Sequence, residues 1–166
     1  MSRFSSAAKA LRGPFKKQVR KLELTLRKPV IKKLGAPGQR VARNLLKKDE
    51  AGALKAAKAE AARLRDLFGK DAPTVSAAAV DRRTGLVVGV GHSAHDVEVP
   101  KSLAALLPNP SLKPWESTNC AEVAAASRAV QSGSKVEDLV MRAVRTRNDS
   151  LFAPCDNCAT WVKEGI

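Results

Sequence analysis

Aromatic residues make up only 4 % of this 166-residue chain, and tyrosine is absent. Its core must therefore be filled by Ala, Val and Leu. No run of 18 apolar residues occurs, which excludes a transmembrane helix. The opening Met-Ser-Arg-Phe-Ser-Ser-Ala-Ala-Lys lacks the apolar stretch of a secretory signal, so export would depend on another carrier. Acids are nearly missing from the first third: residues 1–48 hold 15 Lys and Arg against one acid, Glu23. Residues 49–166 hold 15 of each sign, so the net charge of +14 belongs to the N-terminal part alone. A block of that kind attracts polyanions, either nucleic acid or an anionic membrane surface, or else is a solvated basic helix. Lys16, Lys17, Arg20, Lys21, Lys32 and Lys33 are its candidate nucleic-acid contacts. The neutral remainder must bind through particular side chains rather than a general field.

The length suits one domain with an appendage, a basic helical segment over residues 1–48 and a folded unit over 49–166. In the first segment Phe15, Val19, Leu22, Leu26 and Val30 recur at helical spacing, although Pro29 opposes an unbroken helix. Gly35-Ala-Pro-Gly38 reads as a turn or linker. Asp49 and Glu50 suit the start of a second helix, in which Leu54, Ala57, Ala61, Leu64 and Phe68 form one apolar stripe, ended by Gly69. Residues 74–80 and 86–90 flank Asp81-Arg-Arg-Thr-Gly85 as a hairpin. Residues 91–113 form a loop with a short helix over 102–107. Asn119 is placed to cap a helix over 121–131, a third strand follows from Asp138, and Pro154 opens a last short helix. The outcome is an α/β unit of two or three layers.

Cysteine is scarce, and its placement is informative. Three cysteines cannot all pair within one chain, and Cys120 with Cys155-Asp-Asn-Cys158 suggests a metal site. Each group falls at the first turn of a helix, where the partial positive charge favours the thiolate that binds metal. Three thiolates leave the fourth position of a tetrahedral zinc ion open, as catalytic rather than structural sites do. Glu122, two residues after Cys120, can reach over the same helix end as a proton shuttle for a metal-activated water.

Asn119-Cys-Ala-Glu-Val, the strand near Val136-Glu-Asp-Leu-Val and Pro154-Cys-Asp-Asn-Cys158 together resemble the cytidine deaminase superfamily. Over residues 74–162 the chain is most similar to the YwqJ-related deaminases at the C-termini of bacterial polymorphic toxins. The resemblance implies a deaminase-like sandwich with a mixed sheet, one zinc on Cys120, Cys155 and Cys158, and Glu122 as the catalytic acid and base. It further implies conversion of cytosine, less often adenine, to its keto product in single-stranded DNA or RNA. Such a toxin acts in the cytoplasm of a target cell and is held in check by an immunity protein. Most of the superfamily carries two more strands after the second zinc helix, whereas eight residues follow Cys158 here. Three thiolates also call for a nearby basic group, with Arg128, Arg145 and Arg147 as candidates.

Further residues carry two readings each. Trp115 can stack on a base or anchor its loop, and Trp161 belongs in the core. His92 and Ser93, at the end of the second strand, are either pocket residues or surface ones, as is His95. Asn119 can add a substrate hydrogen bond to its capping role. Two other functions fit the same residues: deamination of free nucleosides or nucleotides, and a nucleic-acid-binding module whose structural zinc takes His92 or His95 as fourth ligand.

Overall fold

The computed structural model describes residues 35–162. The six basic residues named above lie outside that range, as does the helical pattern over residues 15–30. The first described element is helix α1, Gly35–Phe68. It begins 14 residues before the Asp49 start expected from sequence and passes through residue 48 without a break. Gly35-Ala-Pro-Gly38 forms its first turn instead of a linker. A proline is tolerated there because the first N–H groups of a helix have no intrahelical acceptor. The buried stripe starts correspondingly early, with Ala42, Leu45 and Ala53 preceding Ala57, Ala61 and Leu64. Leu54 is half-buried, but Phe68, counted in the stripe from its spacing, is exposed at the helix end. Gly69 follows at φ +55°, a left-handed conformation that ends the helix at little cost for glycine.

Four strands follow: β1 Val75–Asp81, β2 Leu86–His92, β3 Leu139–Arg145 and β4 Leu151–Phe152. They form one sheet in the order β2-β1-β3-β4, and every neighbouring pair is antiparallel. The expected mixed sheet is thus replaced by an antiparallel one among the described residues. β4 was not expected. Two residues are too short to show a period, and the strand is created by the turn after β3, where Asp149 adopts φ +57° and Arg145 N–H donates to the Ser150 carbonyl at 2.8 Å.

β1 is buried along its whole length, on both faces. Its alternation divides the core into two. Ala78, with Val144 of β3, packs against Ala57 and Ala61 of α1, and the Ser76 hydroxyl donates to the Ala57 carbonyl at 2.8 Å. Ala77 and Ala79, with Met141 and Ala143, face helix α3, Ala121–Gln131. The fold therefore has three layers, helix–sheet–helix. Small residues set the spacing: a Cβ on Gly89 would stand 2.0 Å from the Ala125 carbonyl oxygen, and one on Gly91 would stand 2.6 Å from the Ala124 Cβ. Glycine at these two positions lets α3 lie directly on β2.

The remaining elements sit on the α3 side. Helix α2 spans Lys101–Ala104, shorter than the expected residues 102–107, and buries Leu103. Helix α4, Asp156–Ala159, is a single turn, and its Cys158 joins the core with Trp161, as expected for that tryptophan.

Candidate metal centre

Two chain turns bring the cysteines together. Residues 117–119 form a 3-10 turn, and Cys120 follows with φ −77° and ψ 138° as the residue that caps α3. Cys155, with φ −70° and ψ 170°, caps α4 in the same extended way. The capping position thus belongs to Cys120 rather than to Asn119. Asn119 is exposed, ends the 3-10 turn, and accepts the Ala94 N–H at its carbonyl at 3.0 Å. An extended residue immediately before a helix projects its side chain over the helix mouth, and both caps aim sulfur at a common point.

All three sulfurs lie within 4.8 Å of one another, and those of Cys120 and Cys155 are 3.4 Å apart. A tetrahedral zinc ion with Zn–S bonds of about 2.3 Å requires sulfurs about 3.8 Å apart, so a small relaxation fits the ion. Three thiols are also a donor set that zinc prefers. Among the described residues no His, Asp or Glu joins the cluster. Three thiolates would leave one position of a tetrahedral ion without a protein ligand.

The thiols differ in acidity. Cys120 is pushed down to about 6, first by the Cys158 thiol that donates to it, then by Cys155 and by the Trp115 and Asn157 side chains, against the opposing effect of burial. Cys155 is raised, mainly by burial, and Cys158 is raised, mainly because its proton is shared with Cys120. Without a metal, Cys120 is therefore the thiol that gives up its proton most readily. A divalent cation would release the other two protons.

Glu122 is the second residue of α3 and only 4 % exposed. Its Oε1 has no hydrogen-bond partner. Burial pushes its pKa up to about 7, the negative charge of Cys120 adds to the rise, and its own backbone N–H and the Cys158 thiol oppose it. A carboxyl in this state both holds and gives up a proton near neutrality. It faces a cavity of about 460 Å³ walled by Met141, Ala143, Phe152, Pro154 and Val162. That volume suits a ligand of nucleoside size, and the apolar walls suit a flat ring.

Two residues that the sequence reading passed over complete the centre. Asn157, fully buried between the two cysteines of α4, accepts the Leu112 N–H at 2.7 Å and donates to the Ser111 hydroxyl at 2.9 Å. It thereby straps the loop before α3 onto α4, and its amide helps hold the Cys120 thiol acidic. Lys113 of the same loop pairs with Asp156 at 2.5 Å and feels the Cys155 sulfur. It is a basic group beside the cluster, whereas no hydrogen bond or ion pair among the described residues joins Arg128, Arg145 or Arg147 to a cysteine. Arg128 instead donates to the Val90 carbonyl and to His95, each at 2.7 Å, and Arg145 stacks 4.9 Å above the Phe152 ring. The only signal for Asn157 was its place inside the Cys-x-x-Cys spacing; Lys113 gave none, because its role depends on how the loop folds back.

The other candidate residues fall in different places. Trp115 is 46 % exposed, so it is not a buried anchor, and its side chain helps hold the Cys120 thiol acidic. His92 and Ser93 do not line the cavity. The alternation of β2 turns Gly89 and Gly91 toward α3 and His92 toward the α1 face, where its Nε2 meets His95 Nδ1 at 2.7 Å. The Ser93 hydroxyl accepts the Val75 N–H at 3.2 Å. No family model, curated protein or solved structure matches the chain.

Proposed function

We propose that this chain is a zinc-dependent hydrolase that deaminates a nucleobase, converting cytosine to uracil in nucleic acid, as a toxin or effector domain. The observation that carries the reading is the Glu122 carboxyl: buried, with one oxygen unpartnered, beside three convergent thiols and facing a cavity. Buried polar atoms without partners are uncommon and call for an explanation. A proton-transfer role supplies one, and a purely structural role does not.

Cys120, Cys155 and Cys158 would hold the ion. Zinc bound there supplies Lewis acidity, which makes water nucleophilic at neutral pH. Glu122 takes a proton from water as its oxygen bonds to the ring carbon that bears the amino group. The same carboxyl returns that proton to the nitrogen, the carbon–nitrogen bond breaks, and ammonia leaves. The walls formed by Met141, Phe152, Pro154 and Val162 hold the ring flat and exclude bulk water, and the half-exposed Trp115 offers a face on which a base can stack.

A structural zinc would need a fourth protein ligand. Neither His92 nor His95 belongs to the cysteine cluster, and their ring nitrogens are engaged with each other, with Ser93 and with Arg128. That favours the catalytic reading over the binding-module one. The test is to incubate zinc-loaded protein with single-stranded DNA, RNA and free cytidine and to assay uracil in each. Uracil in a strand supports the reading, uracil from free cytidine alone moves it to nucleoside deamination, and none in any substrate refutes it. As an effector acting in the cytoplasm of a target cell, the wild-type chain should also be toxic or mutagenic when expressed without an immunity protein.

A further inference from the structure

A second cavity, about 570 Å³, opens where α1 ends and β1 begins. Four cations line it, Arg65, Lys70, Arg145 and Arg147, with Thr74 and Asn148 as polar companions and no acid among the lining residues. Arg65 is committed elsewhere, to Asp149 at 2.7 Å and to the Thr146 carbonyl. Lys70 and Arg147 are exposed and have no ion-pair partner among the described residues. Such a concentration of unpaired positive charge in a concavity favours an anion, and its breadth exceeds one small ion.

Its location relates it to the candidate metal centre. Thr74 precedes β1 and Arg145 closes β3, and Val75 is paired with Arg145 in the sheet. The loop after β2 leaves this same end of the sheet to meet Asn119, next to Cys120. Arg145 links the two cavities: it lines the basic one, and its guanidinium stands 4.9 Å from the Phe152 ring, which lines the one holding Glu122. A base seated against Phe152 would leave its strand running over Arg145.

We infer that this basic cleft binds the phosphodiester backbone of a single strand whose base enters the Glu122 cavity. The inference rests on the reading of that cavity as a nucleobase site. Arg145 acts at the junction, and Lys70 and Arg147 take phosphates farther along the strand. The substrate is then a polynucleotide rather than a free nucleoside, and the contact is to backbone, which carries no base information.

The test uses the full chain with Lys70→Gln and Arg147→Gln together, beside a control with Lys55→Gln and Lys101→Gln, exposed lysines outside both cavities. Binding of a fluorescent cytosine-containing oligonucleotide is measured across a salt series, and deamination is followed on that oligonucleotide, cytidine monophosphate and cytidine. Losing two single-strand phosphate contacts should flatten the log–log salt slope by about 1.4, with the control unchanged. The kcat/KM for the oligonucleotide should fall while that for cytidine holds. An unchanged slope in the cleft variant, or an equal loss in the control, overturns the proposal. A kcat/KM loss as large on cytidine monophosphate as on the oligonucleotide overturns it too, because the cleft would then hold the nucleotide's own phosphate. A flattened slope with no deamination of any substrate upholds the cleft as a strand site and refutes the catalytic reading instead.

Discussion

Glu122→Gln removes a titratable group from a buried site, and its effect on stability should depend on pH in a calculable way. The carboxyl has a pKa near 7 in the folded metal-free protein against 4.5 as its ordinary value. An acid with a raised folded pKa is stabilising in its protonated form. Its contribution is complete below about pH 4.5, declines as pH rises, and levels off above about pH 7. A displacement of roughly 2.5 pH units at about 1.4 kcal/mol each gives a total of about 3.5 kcal/mol, of which about 2–3 kcal/mol falls between pH 5 and pH 8. Glutamine does not titrate. Urea unfolding of metal-free wild type and Glu122→Gln at both pH values should therefore show the wild type losing about 2–3 kcal/mol relative to the variant on going to pH 8. The Cys120 charge contributes to the raised Glu122 pKa, so that coupling is part of the difference. Parallel pH dependence in the two proteins would refute the claim that Glu122 is buried without compensation.

Three further outcomes follow from the geometry. Cys155→Ala or Cys158→Ala should abolish the binding of about one zinc per chain and lower the melting temperature of the zinc-loaded protein, because the ligands join two helices; full zinc retention in both variants would exclude the site. Asn157→Ala should weaken zinc by roughly 10–100-fold, as loss of the groups that orient metal ligands commonly does, measured by chelator competition, since it removes the strap on the loop and a side chain that keeps Cys120 acidic. Gly89→Ala should cost roughly 1–3 kcal/mol in denaturant unfolding by overpacking, because the new Cβ meets the Ala125 backbone rather than a yielding side chain.

The parts of the fold that could be read in sequence are those whose physics is local. The runs 74–80 and 86–90 on either side of the Asp81–Gly85 turn gave both hairpin strands, and Gly69 marked the end of α1. Cysteine type and spacing were enough to anticipate that Cys120, Cys155 and Cys158 would meet, since Cys120 and Cys155 each precede a helix and Cys158 lies in the first turn of the second. What could not be read depends on partners distant in sequence. Gly35-Ala-Pro-Gly38 carries the residues of a turn, but the same residues are tolerated in the first turn of a helix, and packing from Ala42 onward decides between the two. β4 exists because Arg145 and Ser150 pair across a turn. Lys113 and Asn157 join the centre only when the loop of residues 108–117 closes onto α4. His92, at a strand end, was open to a pocket or a surface reading, and only the parity set by Gly89 and Gly91 turns it to the other face.

The central claim is that Glu122 moves protons beside a metal it does not hold. The most direct measurement is the deamination rate of zinc-loaded Glu122→Ala against wild type on a cytosine-containing strand, with zinc content determined on the same samples. The account predicts equal zinc in both proteins and a rate at least ~10²-fold lower in the variant, the lower range of general acid–base contributions. Zinc lost together with activity would make Glu122 a ligand, and equal rates at equal zinc would leave the buried carboxyl without the role assigned to it.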